Sequence, residues 1–185
     1  MSLDHAIMGF LSYYPSTGYD LKKIFDQSVR HFWSADQSQI YRTLARLTDE
    51  GLVQMMVVEQ SERPDRKVYS LTPAGYESLK TWLSGPLQGG EARNPVLLQT
   101  FFLGKCSDEE ILQKFVAARD LLRGMLAVYA ATPAIIDEFN QSVKSDREAF
   151  FWGLTLEWGQ RTGKANLEWV ESVIARIENH QVPQK

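Results

Sequence analysis

The sequence predicts a mainly α-helical fold with a small β-hairpin, divided into two unlike halves. Three observations predict it. Apolar residues recur at helical spacing over most of the chain, and two short β-rich runs flank a charged turn. Between the halves lies LQGGEARNP (Leu87–Pro95), with a Gly pair, a terminal Pro and no apolar periodicity. It separates a first domain over 1–86 from a second over 95–185.

In the first half, Leu3, Ile7, Phe10 and Tyr14 recur at steps of four, three and four, which places them on one helical face, and Pro15 stops that helix. Thr17 with Asp20 three residues on opens a second helix, whose apolar face is Leu21, Ile24, Phe25, Val29 and Phe32. The third helix is punctuated at both ends. Asp36 with Gln39 has capping-box spacing, Gly51 is a C-terminal stop, and Ile40, Leu44 and Leu47 form the inward stripe. Next, LVQMMVVEQ (Leu52–Gln60) and KVYSL (Lys67–Leu71) flank the turn SERPDR and read as a hairpin. Thr72-Pro73 then starts a fourth helix containing Leu79, Trp82 and Leu83.

The second half reads as helix throughout. Leu97, Leu98, Phe101 and Phe102 form a short apolar helix. Ser107 and Glu110 make a capping box for a seam of Ile111, Phe115, Ala118, Leu122, Met125 and Tyr129. Thr132-Pro133 is expected to begin a separate segment with Ile135, Ile136 and Phe139. A last long stretch carries Phe151, Leu154 and Trp158, then Leu167, Val170, Ile174 and Ile177.

Composition bounds the function without naming it. The chain has 185 residues, 44% hydrophobic and 23% charged, as expected of a globular protein. No apolar run approaches the roughly 20 residues needed to span a bilayer. The opening MSLDHAIMGF lacks the layout of a secretory signal, so a cytoplasmic protein with no membrane partner is expected. Metal and cofactor signals are absent. His5, His31 and His180 are scattered, Cys106 is a lone cysteine, and no Gly-rich phosphate loop occurs, which reads against an enzyme. Net charge is −3, and residues 1–90 hold 9 basic against 10 acidic side chains, so composition alone does not nominate nucleic acid.

Element order does. Three helices followed by a hairpin is the order of a winged helix-turn-helix, in which the third helix fits the major groove and the wing reaches the backbone beside it. With Ile40, Leu44 and Leu47 inward, the opposite face is expected to carry Ser38, Gln39, Arg42, Thr43 and Arg46. Gln and Arg suit adenine and guanine edges. At the hairpin tip Arg63, Arg66 and Lys67 are placed for phosphates, with Glu62 and Asp65 diluting their charge. Tyr41 is either a phosphate contact or a packing residue. Each feature alone is also what a solvated surface looks like; their combination in one order points to double-stranded DNA. The alternative is a winged helix used for protein–protein contact.

Three stretches carry a family resemblance: LDHAIMGFLSYYPSTGYDLKKIF, SQIYRTLARLTDEGLV and RKVYSLTPAGYESLKTWL. In that order, and with Y-x-x-L-x-x-L-x-x-x-G-L inside the second, they resemble the PadR family of transcriptional regulators over nearly all of residues 3–83. The second half is similar to the helical domain of the longer members, those like virulence-gene activators. The resemblance implies a homodimeric regulator, commonly a repressor, whose C-terminal helices swap contacts with the partner's N-terminal domain. It places Tyr41 at the recognition-helix tyrosine, Ser38, Gln39 and Arg42 at groove-facing positions, and Arg66 and Lys67 on the wing. Some members respond to small aromatic compounds, and no motif in this sequence encodes such an effector.

The second half also bears on assembly. The Ile111–Tyr129 seam and the Leu167–Ile177 stripe can cover each other, leaving Phe150, Phe151, Trp152, Trp158 and Trp169 to be covered. A homodimer is one solution; an internal aromatic layer or an apolar effector pocket are the others. Two-fold symmetry would set two third helices about 34 Å apart, matching a palindromic site.

Overall fold

The computed structural model describes residues 2–30, 32–59, 65–87, 89 and 94–183. His31, Glu62, Arg63 and part of the Leu87–Pro95 stretch lie outside them. The chain divides into two compact units, Met1–Gly89 and Gly90–Lys185, each with its own core.

The first unit runs α1 (Ser2–Tyr13), β1 (Ser16–Thr17), α2 (Gly18–Gln27), α3 (Gln37–Asp49), β2 (Val53–Val58), β3 (Arg66–Leu71) and α4 (Pro73–Ser84). Its core gathers Ile7, Met8 and Leu11 from α1, Leu21 and Phe25 from α2, Ile40, Leu44 and Leu47 from α3, and Val53 and Leu79. Local chemistry sets the element ends. Thr17 and Asp20 close a reciprocal capping box at α2, and Asp36 and Gln39 close another at α3. At the other end of α3, Gly51 takes φ +71°, its N–H donates to the Thr48 carbonyl at 3.0 Å, and the Leu52 N–H donates to Leu47 at 2.9 Å. Those two bonds are a Schellman stop, which requires a left-handed residue and so favours glycine. Thr72 caps α4 by accepting the Gly75 N–H at 3.1 Å, while its hydroxyl donates toward the Gly51 and Leu52 carbonyls at 2.8 and 3.0 Å. A side chain at Gly75 would collide with the Leu52 carbonyl, so α4 packs against the α3–β2 turn only because residue 75 has none.

One expectation is extended in this unit and one is corrected. The hairpin is part of a three-stranded antiparallel sheet in the order β1-β3-β2, with Thr17 opposite Val68 and Val57 opposite Lys67. A two-residue strand leaves no alternation to read. The second helix ends at Gln27, short of Val29 and Phe32. There the Ser28 hydroxyl donates to the Ile24 carbonyl at 2.6 Å, competing with the backbone ladder, and Phe32 is exposed.

The second unit runs α5 (Pro95–Phe101), a single 3-10 turn (Leu103–Lys105), α6 (Asp108–Val143) and α7 (Asp146–Glu178). The two long helices lie antiparallel. Phe115 meets Trp169 at 5.6 Å, Arg123 binds Glu171 at 2.7 Å, and Phe139 meets Trp152 at 5.0 Å. Ile111, Phe115, Val170, Ile174 and Ile177 are buried between them, and Lys144, in the left-handed region at φ 54°, makes the reversal. Gly163 lets the helices close: a Cβ there would lie 2.9 Å from Leu126 Cδ2.

Pro133 does not start a new segment; α6 runs through it. Proline has no N–H for the carbonyl four residues back, so Tyr129 loses its helical partner. Gln160 of α7 supplies one, its Nε2 donating to the Tyr129 carbonyl at 3.3 Å. Trp152 and Trp169, expected to need covering, are half-buried against Phe139 and Phe115, whereas Phe150, Phe151 and Trp158 remain exposed. An orphaned buried carbonyl costs about 1–3 kcal/mol. Gln160→Leu is therefore expected to destabilise the second unit by that amount, and Pro133→Ala to abolish most of the penalty by restoring the N–H. Denaturant unfolding of the two single variants and the double variant measures this coupling.

Candidate nucleic-acid interface

The interface is built from α3 outward. Ile40, Leu44 and Leu47 are fully buried, which fixes the rotation of α3 about its axis. The open face carries Ser38, Arg42, Ala45 and Asp49 at steps of four, three and four, with Gln37, Gln39 and Tyr41 beside them at the amino end, all exposed. Gln37 and Ala45 join this face by their position around the helix, a signal that side-chain chemistry alone does not carry. Gln37 opens the helix and stands outside the capping network, at the end that reads bases in helix-turn-helix proteins.

Two expected members are corrected. Thr43 is buried, because it is three residues from Ile40 and four from Leu47 and so shares their face. Arg46 flanks the stripe and turns toward α1. Its guanidinium binds the Asp4 carboxylate through Nη2 and Glu50 through Nη1 at 3.2 Å. The hydrogen bonds it donates, to Asp4 first and then to Glu50, raise its pKa. The Asp4 side chain is 11% exposed and that of Arg46 42%, so the pair clamps α3 to α1 from a half-covered position.

The remaining residues are held to different degrees. Asp36 Oδ1 accepts from the Ser38 hydroxyl and the Gln39 N–H, both at 2.7 Å, while the Gln39 Oε1 accepts the Asp36 N–H at 2.9 Å. Gln39 keeps its amide donors for other partners. Arg42 is exposed, with Nε donating to the Ser38 carbonyl at 3.4 Å. The Tyr41 ring lies over Gly18 at the start of α2, where a Cβ would fall 2.5 Å from Cε1. Its edge stays wet at 41% exposure. Burial, and secondarily Tyr41, push the hydroxyl of neighbouring Tyr69 above its ordinary value. On the wing Lys67 is exposed, and Arg66 Nη2 lies 3.4 Å from Asp20 Oδ2. Of the other titratable candidates, His5 stacks on Trp82 at 4.5 Å and Cys106 is a half-buried free thiol. Among the described residues no cluster of His, Cys, Asp and Glu is placed to hold a metal ion, and no helix is long and apolar enough to cross a membrane.

The model of the transcriptional regulator PadR-like family matches residues 7–81, and that of the virulence activator α C-terminal domain matches 92–178. The chain carries a PadR-like regulator domain followed by a virulence-activator-type C-terminal domain. Over 184 residues it is 28% identical to the negative transcriptional regulator PadR of Bacillus subtilis, covering 95% of this chain and 97% of that one. The structure of that relative in complex with operator DNA superimposes with a TM-score of 0.82, at 28% identity and the same coverage. Its complex with p-coumaric acid gives a TM-score of 0.64 at 27% identity, covering 96% and 99%. The virulence activator AphA of Vibrio cholerae gives 0.74 at 27% identity, covering 96% and 99%. A probable transcriptional regulator of Mycobacterium tuberculosis is 41% identical over 87 residues, 47% of this chain. That match spans 46% of the mycobacterial protein, less than half its length.

Two expectations test this geometry. Arg46→Ala is expected to destabilise the first unit by about 1 kcal/mol, below the roughly 1.5–3 kcal/mol of a hydrogen bond to a charged group because its guanidinium is partly solvated. Arg42→Ala is expected to stay within about 0.5 kcal/mol of the parent. Thermal melts of both variants side by side check the contrast. The second concerns pH. The Ser38 hydroxyl and the Gln39 N–H hold Asp36 below the ordinary carboxylate range. A lowered folded value makes the cap fully stabilising above the ordinary carboxylate pKa, with the stabilisation lost as pH falls through the lowered one. Asp36→Asn keeps an acceptor without a charge, so a stability-against-pH series is expected to show a flatter acid limb than the parent.

Proposed function

We propose that this PadR-like regulator binds double-stranded DNA sequence-specifically as a homodimer and represses the genes it controls. The observation that carries this reading is the open amino end of α3, an amide and guanidinium face on a helix that is capped at both ends and anchored by its core stripe. The likeness to a relative solved on operator DNA supports it.

In this reading α3 enters the major groove, Arg42 reads guanine, and Gln37, Ser38 and Gln39 face neighbouring base edges. Tyr41, Arg63, Arg66 and Lys67 meet the backbone. Thr43 and Arg46 are left out of the reading set, since one is buried and the other is committed to Asp4 and Glu50. Residues 1–86 are the DNA-binding domain and 95–185 the dimerisation domain. Support for dimerisation comes from α7, where Phe150, Phe151, Leu154 and Trp158 crowd one side of the helix and are exposed. A second copy would cover them and set two reading helices on one palindrome. Repression follows the B. subtilis relative, a negative regulator, and so does a small aromatic acid as effector. The V. cholerae relative is named an activator. A DNA-bound role places the chain in the cytoplasm.

Fluorescence anisotropy of the purified protein against its own upstream region and a random duplex, at several salt concentrations, tests the proposal. The upstream duplex is expected to bind more tightly. Arg42→Ala should lose about 1–3 kcal/mol with relaxed sequence preference, whereas Lys67→Ala should weaken both duplexes alike and reduce the salt slope by about one. Equal affinity for both duplexes in the parent protein would sink sequence-specific reading. No binding to either would favour the winged helix as a protein-contact module.

A further inference from the structure

The basic side chains around α3 and the wing fall into three settings. Arg46 is locked by Asp4 and Glu50. Arg42 and Lys67 are exposed and make no salt bridge among the described residues, although Arg42 lies within the field of Asp36. Arg66 lies between these extremes. Its Nη2 is 3.4 Å from Asp20 Oδ2, and the two side chains are 51% and 44% exposed. A long, wet pair of this kind is worth about 0–1 kcal/mol, so another anion can exchange for it at small cost.

Asp20 cannot follow the exchange. The same Oδ2 accepts from the Thr17 hydroxyl at 2.7 Å and the Thr17 N–H at 3.4 Å, and Asp20 N–H in turn donates to Thr17 Oγ1 at 3.1 Å. That reciprocal box opens α2, so the carboxylate stays where the cap needs it. A phosphate reaching Arg66 therefore meets both a guanidinium already engaged and an anion that does not retreat.

From the shared position of Asp20 in the α2 cap and beside Arg66, we infer that Asp20 is a resident competitor for DNA phosphate at the wing. It lowers affinity for every duplex by the same factor and leaves base preference to α3. The inference rests on the DNA-binding reading above. It also gives a role to one of the 10 acidic residues that keep the first 90 residues near neutral. Phosphate contacts act independently of sequence and through counterion release, so a weakened one should show in absolute affinity and in salt dependence.

The test uses the full chain with Asp20→Gln, Arg66→Ala and the double variant. Glutamine at the third helical position is itself a capping-box residue, as Gln39 is in α3, so charge is removed while the cap can persist. Asp20→Asn is a second neutral variant in case the longer amide disturbs α2. Anisotropy is read on the upstream and random duplexes across salt. The neutral variant is expected to tighten both duplexes by about two- to fivefold, the range an exposed pair allows, with their ratio unchanged. The salt slope should steepen by up to about one. In the Arg66→Ala background the gain should fall below half. An unchanged affinity overturns the inference, as does a gain that persists in full without Arg66, which would mean direct repulsion. A changed ratio between the duplexes also overturns it, since Asp20 would then be shaping α3. A parent protein that binds neither duplex overturns the DNA reading itself.

Discussion

The burial of Ile40, Leu44 and Leu47 governs what the first unit can present to a partner. All three are fully buried, and each contributes about 1.5–3 kcal/mol relative to exposure. Rotating α3 by one residue would turn the stripe by about 100° and lose several kcal/mol. No exposed ion pair, worth about 0–1 kcal/mol, could compensate. The core therefore chooses which side chains face outward, and the two caps choose where the helix starts and stops. Arg42 is outside because three other residues are inside.

The second unit rests on a different balance. Two helices of 36 and 33 residues pack along one seam, yet the fully buried cluster lies where Ile111 and Phe115 meet Val170 to Ile177. Farther along, contacts are between ring pairs such as Phe139 and Trp152, and the Tyr129 carbonyl freed by Pro133 is held by Gln160. One polar bond between the helices there does what a backbone hydrogen bond does elsewhere. Large apolar side chains such as Phe150 and Trp158 stay in water, which a lone helical pair does not stabilise.

What was legible in the sequence follows the distance over which each signal acts. Asp36 with Gln39, Thr17 with Asp20, and Gly51 act within four residues, and the structure has all three in the expected roles. Thr43 was readable by counting and was misplaced by chemistry: a threonine among arginines looks exposed, but its offsets from Ile40 and Leu47 put it inside. Arg46 with Asp4, Arg66 with Asp20, and Tyr129 with Gln160 join residues 42, 46 and 31 positions apart. No local pattern encodes such pairings; they exist only once the helices have packed. Pro133 misled for a related reason, since its local preference to end a helix was overridden by a partner on another helix.

The same distinction explains why charge composition was a poor guide to the interface. Counting weighs each acid equally, whereas Asp36 is spent on a cap, Asp4 and Glu50 on a clamp, and Asp20 on both a cap and a wing arginine. A carboxylate that accepts backbone or guanidinium donors has its field partly neutralised at short range, where solvent screens it least. On α3 and the wing, the described cations outside these pairs are Arg42 and Lys67, and their fields reach outward. A near-neutral module can thus present positive groups to phosphate and base edges, provided its acids are consumed in holding the fold. Of the 10 acids in the first 90 residues, Asp4, Asp20, Asp36 and Glu50 are taken up in how α2 and α3 are fastened.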